Sequence, residues 1–156
     1  MSYDFNVADI FEMAEQIERN GAVFYKKAAG NTTEPQAKEF FLFMSGIEAQ
    51  HEKTFVKMKA QLTERESTPT VFDPENESVL YLRALADTRV FSEVKEVPSS
   101  MKGILNMAID AEKNSIAFYV GMRELVPDKR GKERLANIIK EEQSHIVLLC
   151  KKLAAI

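Results

Sequence analysis

The sequence has little of what cross-links a chain or breaks a helix. Its one cysteine, Cys150, excludes a disulfide framework and a paired-cysteine metal knuckle. A lone cysteine in a helical stretch is expected to be a small buried or half-buried apolar residue. Six glycines and five prolines in 156 residues leave long uninterrupted stretches, which favour long helices. No Lys/Arg cluster exists, and a net charge of -3 with a pI near 5.5 argues against a nucleic-acid partner held through phosphates. No apolar run approaches the roughly 18 residues that read as a membrane span. The start, MSYDFNVADIF, has neither the basic nor the long apolar segment of a secretory signal. A single cytoplasmic domain over 1–156 is expected, with no membrane partner. Its 45% hydrophobic content can build a core, and its 29% charged content can solvate a surface.

The few punctuation marks divide the chain. A first helix is expected from Val7 to Ala29, stopped by Gly30-Asn31. Thr33 is the expected N-cap of the second, with Gln36 at capping-box spacing and Pro35 in the first turn, and that helix runs to Thr63. Prolines 69, 74 and 98 make residues 65–98 a crossover rather than one helix. Within it, Val79 to Ala86 forms a short helix that packs through Tyr81, Leu82 and Leu85. Ser99 or Ser100 caps a third long helix to Val126, Pro127 and Gly131 mark a short turn, and a fourth helix runs from about Gly131 to the end. Tight turns make antiparallel pairs of helices one and two and of three and four. The predicted fold is all-α, a four-helix bundle with one long crossover.

An internal repeat runs through the chain at an offset of 94 residues. IERNGAVFY (17–25) falls on AEKNSIAFY (111–119), Glu48 on Glu142 and His51 on His145, without a gap. The seam of the second helix reads Phe41, Met44, Glu48, His51, Phe55, Met58, Leu62, in steps of three and four. The fourth helix gives Leu135, Ile138, Glu142, His145, Leu149. The first gives Phe11, Ala14, Glu18, Ala22, Tyr25, and the third Leu105, Ala108, Glu112, Ile116, Tyr119. The polar residues occupy seam positions, so they point inward, and Glu-x-x-His puts both donors on one helix face.

Four glutamates and two histidines, the only histidines in the chain, therefore converge in the interior. Four desolvated carboxylates without counter-charge would cost many kcal/mol, and the seam supplies no Lys or Arg. Two divalent cations neutralise four carboxylates, and two imidazoles give one nitrogen donor to each. Charge balance thus predicts a dinuclear metal site. Asn20 and Asn114 are expected to bond between helices. Glu15, Asp110 and Glu141, near the ligands but off the seam, are expected to be solvated or else to stand behind the ligands. Phe40, Phe41, Phe43 and Phe55 are expected in the core or at a dimer surface.

Glu18, Glu48-x-x-His51, Glu112 and Glu142-x-x-His145 resemble the ligand set of ferritin-like di-iron carboxylate proteins, and the E-[RK]-N-x-x-x-F-Y spacing resembles the rubrerythrin group. The resemblance covers the whole chain. It implies two iron ions, with manganese or a mixed pair possible. Glu18, Glu48 and His51 would hold one, and Glu112, Glu142 and His145 the other. Two carboxylates would bridge, with the bridges unassigned. Tyr25 and Tyr119 would donate hydrogen bonds to ligands or simply pack. Rubrerythrins of the best-known type carry a carboxyl-terminal rubredoxin domain with four cysteines, which this sequence lacks, so electrons are expected from a separate donor such as a rubredoxin. Their additional glutamate, one turn after the helix-three glutamate, is here Ser115, matched by Gly21. A more symmetric site of six ligands is expected.

The implied activity is reduction of peroxide or dioxygen at the dinuclear site, in an oxidative-stress role, by an expected homodimer. A ferroxidase handling iron, or a metal-binding protein without turnover, are the alternatives.

Overall fold

In the computed structural model, residues 7–62, 77–86 and 96–156 are described, and their regular structure is entirely helical. The helices are α1 (Val7–Asn31), α2 (Pro35–Ala60), α3 (Glu77–Ala86), α4 (Met101–Arg123) and α5 (Lys129–Ala154). Contacts between side chains fix their directions. Along α1 and α2, Glu15 meets Lys59, Arg19 meets Glu52 and Ala22 meets Ser45, so the two run antiparallel. His51 meets Glu141 and Gln61 meets Arg134, which makes α2 and α5 antiparallel. Glu18 meets Tyr119 and Tyr25 meets Glu112, which does the same for α1 and α4. The order round the bundle is therefore α1, α2, α5, α4. Helices α2 and α4 lie on a diagonal and run parallel, and only a long connection can join them. Approach is much closer within each hairpin than between hairpins.

The seam is apolar at both ends. One cluster gathers Phe11, Phe55, Met58, Tyr119, Met122 and Leu135 with Leu82 of α3. The other gathers Phe24, Tyr25, Phe41, Met44, Ile104, Leu105 and Leu149. Helix α3 closes the first cluster by docking on α4 at Gly121, where a Cβ would lie 2.5 Å from the Tyr81 ring. The Tyr81 hydroxyl donates to the Ala117 carbonyl oxygen (2.7 Å), so its ring is anchored although it is partly exposed.

Local chemistry explains where the boundaries depart from expectation. The N-cap of α2 is Glu34, not Thr33, and no side chain caps it. Pro35 forces the residue before it into extended backbone and needs no amide partner itself, so the helix starts there without a capping box. Asn31 continues α1 two residues past Ala29, and its side-chain amide donates to the Val97 carbonyl oxygen. Ser100 does cap α4, accepting from the Gly103 amide. Asp128 caps α5 through the Gly131 amide, which moves the helix start to Lys129. Residues 65–76 and 87–95 of the expected crossover, and Thr63, lie outside the described residues.

Two further expectations are corrected. Cys150 is exposed, because it follows Leu149 on the seam and so faces away from it. Asn20 accepts from Gln16 of its own helix and Asn114 is exposed, and among the described residues neither makes the expected bond between helices. No described helix is long and apolar enough to cross a membrane.

Candidate metal centre

Glu18, Glu48, His51, Glu112, Glu142 and His145 meet between the two apolar clusters, each at most 4% exposed. The repeat thus brings together all six residues that the sequence singled out. They form two groups: Glu18, Glu48, His51 and Glu142, and Glu48, Glu112, Glu142 and His145, each offering donor atoms within 4.8 Å of one another. Glu48 and Glu142 belong to both groups. Both imidazoles turn Nδ1 inward. His51 Nδ1 lies 2.8 Å from Glu142 Oε1 and 3.5 Å from Glu18 Oε2. His145 Nδ1 lies 3.4 Å from Glu112 Oε1 and 3.5 Å from Glu48 Oε1.

These atoms face one another, some at ion-pair distance, but none of these pairs meets hydrogen-bond geometry. Glu18 Oε2, Glu48 Oε1, His51 Nδ1, Glu112 Oε2, both Glu142 carboxylate oxygens and His145 Nδ1 are buried with no hydrogen-bond partner. Orphaned polar atoms at this density, aimed at two common points, are what a cation-binding cage presents and what a packed core avoids. Neither Lys nor Arg is among the buried described residues. Without a cation the layer must hold protons instead. Burial and the charges of Glu18 and Glu112 push Glu48 well above the usual carboxylate range. Burial and the Glu48 charge do the same to Glu142. Burial opposes protonation of His51, but contact with Glu142 and Glu18 outweighs it and raises its pKa to about 11. Burial also opposes ionisation of Glu112, yet contacts with Glu142, His145 and Tyr25 hold it below its ordinary value. An oxygen-rich donor set with one imidazole per group suits iron or manganese, so the residues present fit such ions.

The tyrosines work across the bundle rather than along their own helices. Tyr25 of α1 donates to Glu112 Oε1 of α4 (2.6 Å), and Tyr119 of α4 donates to Glu18 Oε1 of α1 (2.5 Å). Burial and the neighbouring carboxylates push both phenols well above their ordinary value, so they remain donors. Each therefore fixes one carboxylate oxygen: Glu18 keeps its other oxygen toward His51, whereas Glu112 meets His145 through the same oxygen that Tyr25 holds. At Gly21 a Cβ would stand 2.8 Å from Glu48 Oε2, so the missing side chain makes room for that carboxylate against α1. Its repeat mate Ser115 donates to the Ala111 carbonyl oxygen of its own helix and takes no part in the cluster.

The surroundings are less symmetric than the donors. Glu141 was expected in solvent or behind a ligand, and it is both: its side chain is 58% exposed and its Oε2 accepts from His51 Nε2 at 2.6 Å. It heads an open cavity of about 400 Å³ between α2 and α5, lined also by His51, Gln50, Thr54, Lys57, Arg134 and Asn137. Glu15, expected in solvent or behind a ligand, is instead buried and paired with Lys59 at 3.0 Å, away from the donor cluster. Asp110 is exposed, as expected. Phe41 and Phe55 are core residues, Phe40 is half-buried beneath the Lys152 ammonium, and Phe43 is exposed. Sequence reasoning left open that Glu141 stands behind a ligand but could not say which one, because the contact joins α5 to α2. The adjacent pair Glu141-Glu142 was the available signal.

The connectivity and the central acid–histidine layer define a ferritin-like bundle. A Thermotoga maritima protein whose crystal structure is described as that of a candidate ferritin-like diiron-carboxylate protein shares the fold, with a TM-score of 0.73. The two are 21% identical, over 99% of this chain and 98% of that one, and at that identity the likeness concerns the fold. The sequence matches the rubrerythrin family over residues 9–153, and the chain belongs to that family. No functionally curated protein matches it significantly.

Proposed function

We propose that the six central residues hold two iron ions, and that the protein reduces peroxide or dioxygen with electrons from a separate donor protein. The observation that supports this reading is the set of buried, unpartnered donor atoms, arranged as two groups sharing Glu48 and Glu142. When bound, a pair of irons supplies two-electron reduction of an O–O bond. The chain does the rest. Glu18 and His51 close one group, Glu112 and His145 the other. Tyr119 and Tyr25 hold the terminal carboxylates in place. The apolar clusters exclude bulk water along the bundle axis, and the polar cavity beside His51 is the natural opening for a small polar oxidant and for protons. We read the exposed Leu42, Phe43, Val147 and Leu148 on α2 and α5 as surface available to the expected homodimer.

Stopped-flow mixing of the iron-loaded, reduced protein with H₂O₂ or O₂ tests the activity. The expected result is rapid growth of ferric absorption that a reduced rubredoxin reverses. No spectral change with either oxidant would refute the reading. Native mass separates it from iron storage: a dimer is expected, and a shell of many subunits would favour the ferroxidase.

A further inference from the structure

The repeat holds in the six donors and fails one step outside them. His51 Nε2 donates to Glu141 Oε2 at 2.6 Å, and its Nδ1 faces Glu18 and Glu142. His145 turns Nδ1 toward Glu48 and Glu112 in the same way, but among the described residues nothing pairs with its Nε2. The position 94 residues before Glu141 is Ile47, half-buried and unable to accept a proton. The difference continues outward: where the His51 side carries Arg134 and Asn137, the matching positions hold Phe40 and Phe43. A carboxylate on the far nitrogen of a ligating imidazole fixes its tautomer and ring orientation and makes the near nitrogen a better donor. Loss of such a partner typically costs about 10–100-fold in metal affinity.

We propose that the two metal positions are inequivalent: the one closed by Glu18 and His51 binds a divalent cation more tightly than the one closed by Glu112 and His145, because Glu141 positions His51 and no described residue positions His145 in the same way. This rests on the metal reading above. Glu141 is a positioning residue, since it touches His51 and not the donor cluster. The position on the open, polar side of the bundle therefore fills first and empties last.

Co(II) titration followed by visible absorption and calorimetry tests this in two backgrounds. His145→Ala keeps the His51 position, and His51→Ala keeps the other. The first should bind Co(II) about tenfold or more tighter than the second. Adding Glu141→Leu should weaken binding about 10–100-fold in the His145→Ala background and leave the His51→Ala background unchanged. Glu141→Gln, whose amide oxygen still accepts from Nε2–H, should recover most of the loss. Because Glu141 is exposed, the helix content of these variants should match the parent's. Equal affinities in the two backgrounds, or a Glu141→Leu effect that is absent or the same in both, would overturn the inequivalence alone. Failure of the unsubstituted protein to take up Co(II) would instead overturn the metal reading on which it stands.

Discussion

The middle of the bundle and its two ends are built on the same four helices and obey opposite rules. At the ends, Phe11, Phe41, Phe55, Leu135 and Leu149 are fully buried and need nothing but one another. In the middle, six equally buried side chains leave oxygens and nitrogens without partners. Apolar burial stabilises the ends without any bound ion or proton. The middle is stable only when something positive sits among the carboxylates, whether protons or metal ions. A helical seam can thus carry a binding site without losing its periodicity, provided that the cost of the polar layer is offset by its ligand.

Removing the metals should break the comparison most. Ions that bind the folded chain stabilise it by roughly 4 kcal/mol each at about a thousandfold excess over Kd, so chelation should lower Tm sharply. The effect should depend on pH. In the metal-free protein the His51 pKa is raised from 6.5 to about 11, so its protonation contributes stability that is full below 6.5 and is lost toward about 11. Glu48 and Glu142, raised from 4.5, act in the same sense, whereas the lowered Glu112 matters only at acid pH. Cations replace those protons in the loaded protein, so the Tm gap should widen as pH rises from 6.5; a gap that narrows would contradict this balance.

Substitutions in the two regions should differ in sign when no metal is present. Phe55→Ala should cost about 3–5 kcal/mol in denaturant unfolding. Glu48→Leu should leave the metal-free protein equally stable, or more stable by roughly 1–4 kcal/mol, while abolishing metal uptake. A loss in both would mean that the carboxylates are paired after all. Smaller still should be Tyr25→Phe and Tyr119→Phe. Each leaves one buried carboxylate oxygen without its donor, for about 1.5–3 kcal/mol apiece. Because the pair is related by the repeat, the two should cost nearly the same, as thermal melts of the single variants would reveal.

What the sequence disclosed and what it withheld divide along a physical line. Steps of three and four along one helix tell which way a side chain points, so Glu18, Glu48, His51, Glu112, Glu142 and His145 were legible, as were Phe41, Phe55 and Leu135 on the same stripes. The 94-residue offset added that two such helices come in pairs. Periodicity does not tell which residue of another helix lies opposite. For that reason the crossing of Tyr25 to Glu112, the sharing of Glu48 and Glu142, and the contact between Glu141 and His51 appeared only in three dimensions. Glu141 also shows that an exposed side chain can still touch a buried ring. The start of α2 was misread for a local reason: Pro35 supplies the helix start that Thr33 would otherwise have capped.

The central claim is that the buried carboxylates require two cations. Elemental analysis of the protein purified without added iron addresses it most directly. Two transition-metal ions per chain are predicted, falling to one or fewer in Glu18→Ala or His51→Ala. A folded protein that carries no metal and takes up none, or a variant that keeps both ions, would contradict the account.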